Sequence, residues 1–236
     1  MAKFVTSIAG NIGAGKSCFL KYLEENKQEF NRFLKAEEKV LTVQESIDPI
    51  ALKLFYRNRE AYTSIFEESC LVDRKVRHME AKEEPHIYFF DRGVIEGAEI
   101  FCKNSFEEGY LSHDEYDNYI TSLKRGLDKL NRTKQKSWLE QLIVYLEVKD
   151  ANICHERQKK RNTEGEIVPL EYLIKLNQHY QDFFKNIEQV YKKYEVKAPK
   201  VLTIDATIDF NGNQDYHSKI LKQIIKEMEE MKVNER

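Results

Sequence analysis

Five short apolar segments recur along the chain between longer amphipathic stretches: "FVTSIAG" (4–10), "VLTVQE" (40–45), "IYFFD" (87–91), "LIVYLEV" (142–148) and "VLTID" (201–205). Each is rich in β-branched or aromatic residues, the composition of strands buried on both faces. The stretches between them read as helices. The clearest starts at Pro169, a residue suited to a first helical turn. From there one apolar stripe runs through Leu173, Leu176, Tyr180, Phe183, Ile187, Val190 and Tyr194 at steps of three and four. Strands alternating with helices predict an α/β fold: a five-stranded parallel sheet with helices on both faces and ligands at the carboxyl ends of the strands.

Composition narrows the class. A chain of 236 residues fits one compact domain (1–236), and only nine glycines and four prolines argue against a flexible linker. Lys+Arg 38 against Asp+Glu 40 leaves no global field for nucleic acid or a membrane surface. The longest apolar runs are strand-sized, so no membrane span is expected. The four cysteines (Cys18, Cys70, Cys102, Cys154) are scattered without a CxxC pair and read as reduced thiols of a cytoplasmic protein. "MAK" leaves no room for a targeting segment before the first strand.

Candidate chemistry begins with "GNIGAGKS" (10–17), directly after the first strand. Two glycines five apart followed by Lys-Ser form the P-loop pattern, in which backbone N–H groups turn inward around phosphate oxygens. The nucleotide-binding segment is read as Gly10, Asn11, Ile12, Gly13, Ala14, Gly15, Lys16, Ser17 and Cys18. Lys16 reaches the β- and γ-phosphates, and the Ser17 hydroxyl ligates Mg²⁺. No guanine-reading N-K-x-D follows a later strand, which argues against a GTPase.

Two further strand ends carry charge. "FFDRG" places Asp91 toward Mg²⁺ and Arg92 toward charge at a phosphoryl-transfer site; an Asp-Arg pair capping the next helix is the competing account. Glu45 closes "VLTVQE" and suits a general base accepting the proton of an attacking alcohol, although a Glu that opens a helix fits equally well. In "HERQKKRNTEGE" (155–166), Arg157 and Arg161 share one helix face and repel unless an anion sits between them, as a triphosphate would. The polar run after them suits a lid over ATP, at about 155–167, and a solvated helix end is the alternative.

Together these segments resemble the deoxyribonucleoside kinase family, the cellular and viral enzymes that phosphorylate the 5′-hydroxyl of deoxynucleosides. The resemblance spans nearly the whole chain. It implies that Glu45 is the general base and that Tyr56, in "FYRNREAYTSIFEE", contacts the sugar 3′-hydroxyl. It likewise implies that Phe66 packs on the base and that Arg74 lies along the base pocket. "RQKKRNTEGEIVPLEYL" resembles the Arg-rich lid, with Glu164 or Glu166 meeting the 3′-hydroxyl, and "DATIDF" resembles the loop that brings Asp209 and Phe210 to the adenine. The family implies a P-loop kinase fold, ATP·Mg²⁺ as donor, and often a homodimer through a helical face.

Three departures bear on the substrate. Gly93 replaces the family's Ser, Gly97 replaces a base-reading acid, and Glu67 stands where the family reads the base with Gln. An ionised Glu67 only accepts hydrogen bonds, which ranks deoxyguanosine or thymidine above deoxycytidine; a protonated Glu67, or one tied to Arg74, removes that ranking. The expected reaction is ATP-dependent 5′-phosphorylation of a deoxynucleoside. A thymidylate-type monophosphate kinase is disfavoured because its dianionic acceptor tolerates no carboxylate at Glu45. A non-catalytic structural protein has no reason to keep Lys16, Ser17, Glu45, Arg92 and the lid arginines together.

Overall fold

The computed structural model describes residues 3–131, 139–161, 168–208 and 213–233. Five strands, β1 (Phe4–Ala9), β2 (Val40–Val43), β3 (Ile87–Asp91), β4 (Leu142–Glu147) and β5 (Lys200–Asp205), form one sheet in the order β2-β3-β1-β4-β5. Every pairing is parallel, as the sequence predicts. The three inner strands β1, β3 and β4 are almost wholly buried. The edge strands differ from expectation. β2 stops at Val43, before Gln44 and Glu45, and β5 is partly exposed along its length, so neither is buried on both faces. An edge strand has only one neighbour to cover it, which its apolar composition does not reveal.

Helices α1 (Lys16–Glu25), α2 (Pro49–Arg57), α3 (Arg59–Glu83), α4 (Val94–Glu96), α5 (Lys103–Glu107), α6 (His113–Asn131), α7 (Ala151–Arg161), α8 (Leu170–Lys185), α9 (Ile187–Lys193) and α10 (Gln214–Val233) surround the sheet, and a π-helical segment, Gly97–Cys102, joins α4 to α5. The larger core contains successive residues of β4, from Leu142 to Leu146, and so reaches both sheet faces, with Phe19, Leu20, Phe30, Phe89, Val144, Leu176 and Ile224 fully buried. A smaller cluster joins Val5, Tyr88 and Phe90 to Ala81 of α3. Local caps start the helices that frame the site. Asp48 accepts from the N–H groups of Ile50 (2.7 Å) and Ala51 (2.8 Å), and Asn58 from Ala61 (3.2 Å).

The long stripe beginning at Pro169 is two helices. Pro169 is the extended residue before α8, and Asn186 separates α8 from α9. Its N–H and side-chain Nδ2 both donate to Asp182 O, satisfying carbonyls at the end of α8. The apolar period continues across the break because both helices bury against the same core. Among the described residues, no helix is long and apolar enough to cross a membrane.

Candidate functional site

Register builds the site. Ile8 of β1 lies level with Asp91 of β3, so the loop leaving β1 and the Asp-Arg pair leaving β3 emerge side by side. Val43 of β2 is level with Phe90, which carries Glu45 alongside Arg92. Arg92 has φ +65°, a left-handed conformation that costs a non-glycine residue roughly 1–3 kcal/mol. Its N–H donates to Ile8 O (3.2 Å), and the turn directs the guanidinium back over the loop.

A cavity of about 280 Å³ opens at these strand ends. Ile12, Gly13, Lys16, Ser17, Glu45, Tyr56, Phe66, Glu67, Arg74, Asp91, Arg92 and Arg161 all line it, so most sequence-predicted residues converge on one chamber. Glycine is required at more than one loop position: Gly10 has φ +149°, and a Cβ there would lie 2.8 Å from Leu146 O. Gly13 has φ +82°, and a Cβ there would lie 2.4 Å from Cys154 O of α7. The other loop residues serve the loop's shape. Gly15, at φ +98°, precedes α1, and Ala14 is buried in the core. Asn11 Nδ2 donates to Leu173 O (2.9 Å) and Asn177 Oδ1 (2.5 Å), tying the loop to α8. Gly10 O accepts from Lys16 Nζ at 3.0 Å, and Cys18 is exposed outside the cavity. Burial, then the nearby Arg92, pulls the Lys16 ammonium down to a pKa of about 8.

Glu45 is the electrostatic centre. Arg74 Nη2 donates to its Oε1, and Arg92 Nε lies 3.3 Å from its Oε2. Burial pushes the carboxyl upward, but the guanidiniums of Arg74, Arg92 and Arg77 outweigh it and hold the group below the ordinary carboxylate range. Glu45 is therefore a buried anion. Arg92 is fixed from its other side too. Its Nη1 approaches Gly10 O (2.9 Å), Glu96 Oε1 (3.1 Å) and the Tyr180 hydroxyl (2.6 Å), and its guanidinium lies 4.4 Å from the centre of the Phe101 ring. Glu96 also accepts from Gly93 N (3.0 Å), so it is Glu96, rather than Asp91, that caps α4.

Gly93 leaves room for a buried carboxylate: a Cβ there would meet Glu140 Oε1 at 2.9 Å. Glu140, buried behind the Arg92 turn, also accepts from the Tyr191 hydroxyl. Asp91 Oδ1 is buried without a hydrogen-bond partner among the described residues, and Ser17 lines the same cavity. A carboxylate and a hydroxyl are the hard oxygen donors that Mg²⁺ takes, so these residues fit that ion. Among the described residues no group of three or more His, Cys, Asp or Glu side chains forms a metal cage. Such a sparse donor set suits a Mg²⁺ shared with phosphates.

Glu67, on α3, is buried and accepts from the Ser105 hydroxyl (3.1 Å); its ordinary partner is Ser105, since Arg74 bonds Glu45. Burial raises its carboxyl to about 7, against the pull of Arg74. Phe55 stacks on Phe66 at 4.5 Å, adding an aromatic wall. Phe55, Cys70, Phe101 and Tyr172 line the cavity without having been singled out in the sequence, where they are indistinguishable from core residues. Arg157 is placed elsewhere. Its guanidinium donates to Ala206 O (2.8 Å) and Thr207 O (2.9 Å) after β5, and it does not line the cavity. Glu164, Glu166, Asp209 and Phe210 lie outside the described residues.

Comparison with known proteins identifies the family. A family model described as deoxynucleoside kinase matches residues 6–229. Deoxycytidine kinase 2 of Gallus gallus is 25% identical over 92% of this chain and 88% of its own length. The mitochondrial deoxyguanosine kinase of Xenopus laevis is 23% identical over 88% and 83%. The solved structure of deoxyadenosine kinase from M. mycoides with bound dATP shares the fold, with a TM-score of 0.67 at 22% identity over 94% of this chain and 98% of that one. A P-loop, an Asp-Arg strand end and a buried carboxylate in one chamber, together with a family match over nearly the whole length, place this chain in the deoxynucleoside kinase family, ATP-dependent phosphotransferases acting on deoxynucleosides.

Proposed function

We propose that the chain, acting as one domain over 1–236, transfers the γ-phosphoryl group of ATP to the 5′-hydroxyl of a deoxyribonucleoside. One observation carries this reading: the buried anion Glu45 shares its cavity with the P-loop lysine. A neutral hydroxyl is a suitable guest beside such a carboxylate, whereas the dianion of a nucleoside monophosphate is repelled by it. The thymidylate-type alternative is disfavoured on that ground.

Glu45 accepts the 5′-hydroxyl proton as the oxygen attacks phosphorus. Arg92 and Lys16 stabilise the charge spread over the transferring group. Ser17 and Asp91 would hold Mg²⁺, which would supply charge neutralisation on the phosphates. Tyr56 bonds the sugar, while Phe66, Glu67 and Arg74 surround the base. Arg161 serves the triphosphate from the end of α7. Arg157 serves it indirectly, by holding the loop after β5. Glu164 and the pair Asp209 and Phe210 are assigned to the 3′-hydroxyl and the adenine by family resemblance alone.

We also place the enzyme in the cytoplasm, in nucleotide salvage, and as a homodimer. Support for the dimer comes from α3, where Ile65, Val72, Val76 and Met79 recur on one face and are all exposed. The test of function is an ATP-dependent phosphorylation assay across deoxynucleosides and their monophosphates. Turnover of monophosphates alone would overturn the reading.

A further inference from the structure

Glu140 is buried at the entry to β4, on a backbone locked to β1. Its neighbour Gln141 donates its N–H to Val5 O (2.9 Å) and accepts from Val5 N at Oε1 (2.7 Å). Elements distant in sequence converge on the Glu140 carboxyl. Tyr191 of α9 donates its hydroxyl to Oε1, and His78 of α3 presents Nε2 to Oε2 at 3.7 Å. The imidazole is itself held: it stacks on Phe90 at 4.4 Å, and Nδ1 donates to Arg74 O at 3.0 Å, since a carbonyl only accepts. On the remaining side lies Gly93, directly after Arg92, where a Cβ would stand 2.9 Å from Oε1.

Burial pushes the Glu140 carboxyl upward, but His78 and the Tyr191 hydroxyl hold it below the ordinary carboxylate range. A buried anion is costly even when paired. This one does not line the cavity, so it acts on the reaction only through a neighbour. That neighbour is the Arg92 turn, whose left-handed φ of +65° persists only where the surroundings over-determine it. Gly10 O, Glu96 and Tyr180 hold the guanidinium end of Arg92, while Glu140 backs the turn from behind.

Resting on the kinase reading above, we propose that Glu140 is a positioning residue for phosphoryl transfer: held by His78 and Tyr191, it fills the space beside Gly93 and wedges the Arg92 turn so that the guanidinium stays aimed at the transferring group. The wedge works by volume. Removing the carboxyl lets the turn settle backward, and adding a Cβ at 93 pushes it forward. Each displacement moves Arg92, and the two compensate when combined. A polar plug that merely stabilised the fold would lower the melting temperature in each variant and leave turnover by the folded enzyme unchanged.

The test measures kcat, and KM for ATP and the nucleoside, well below each variant's melting temperature, with the natural deoxynucleoside that the wild type turns over fastest. Glu140→Ala and Gly93→Ala should each lower kcat by roughly 10–100-fold, the effect of misplacing a reacting group by about 1 Å, with both KM values little changed. Glu140→Gln should recover most of the loss seen in Glu140→Ala, because its amide keeps the volume, accepts from Tyr191 and donates to His78. In the double variant of Gly93→Ala with Glu140→Ala, kcat should rise above that of either single variant. If Glu140→Ala fails to fold, Glu140→Asp, which withdraws the carboxyl by one methylene, takes its place beside Gly93→Ala. Wild-type kcat in either single variant, or a double variant no faster than the better single one, overturns the positioning role and leaves the kinase assignment intact. A wild-type chain that binds ATP but phosphorylates no natural deoxynucleoside overturns the kinase reading, and this role with it.

Discussion

Replacing Glu45 by Gln separates the chemical role of this carboxylate from its structural one. The side chain is 7% exposed and bridges Arg74 and Arg92, which are themselves 4% and 6% exposed. The amide keeps one accepting oxygen but removes the anion and the proton acceptor. Loss of a positioned general base lowers turnover by roughly 10²–10⁴, about 3–5 kcal/mol in the barrier. KM for the nucleoside should change little, because an amide still bonds a hydroxyl.

Stability should fall as well. Breaking a buried ion pair outright costs about 3–5 kcal/mol. Since the amide oxygen still satisfies one guanidinium N–H, about 1–3 kcal/mol is expected. At about 2–4 °C per kcal/mol for a chain of this size, the melting temperature drops by roughly 2–12 °C.

The pH profile supplies the control. The folded-state pKa of Glu45 is depressed, so its contribution to stability is present above the unfolded carboxylate value of about 4.3. It is lost as pH falls through the lower folded value. An acid limb in kcat due to Glu45 therefore lies below the ordinary carboxylate range. Turnover by a coupled ADP assay and melting by calorimetry measure the two roles. A variant that melts lower yet turns over within a few-fold of the wild type would refute the general-base assignment and leave Glu45 purely structural.

Lys16 should give an alkaline limb. Its ammonium is lowered to about 8, so kcat/KM for ATP is expected to decline as pH rises through about 8, and ATP binding near that pH should take up protons, detectable by calorimetry in buffers of different ionisation enthalpy. Gly13→Ala should raise KM for ATP at least about tenfold, because its Cβ would collide with Cys154 O at 2.4 Å in a left-handed turn; an unchanged KM would contradict the loop geometry. Asp91→Asn should raise the Mg²⁺ concentration needed for half-maximal rate, with little change in melting temperature, since Asp91 Oδ1 makes no hydrogen bond among the described residues. Val72→Asp, on the exposed apolar face of α3, should shift the mass measured by light scattering from dimer to monomer.

Much of this protein was legible in its sequence, because the signals concerned are local. Strand composition, the glycine spacing of residues 10–17 and the Asp-Arg pair at a strand end describe what neighbouring residues do to one another. They gave five parallel strands, and they gathered Lys16, Glu45, Asp91 and Arg92 at one set of strand ends. Parallel strands joined through helices bring their carboxyl ends together whatever the intervening sequence.

The remainder depended on partners distant in sequence. Nothing near Arg157 announces that the carbonyls of residues 206 and 207 will claim its guanidinium in place of a phosphate. Asn186 divides an unbroken apolar stripe because its side chain closes the end of α8, while packing preserves the period on either side. Tyr180 and Glu140 came to the Arg92 turn only through contacts across the fold, whereas Glu96 supports it from four residues away. The ionisation of Glu67 was undecidable from its identity alone, since burial beside Ser105 and Arg74 sets it near 7. Gly97 reads in sequence as a lost contact, and in the fold it is the opening that Arg74 fills. Periodicity and motif are short-range properties of the chain and determined the scaffold. Charge state, pairing and free space come from atoms that only folding brings within a few ångströms, so the tertiary structure alone decided them.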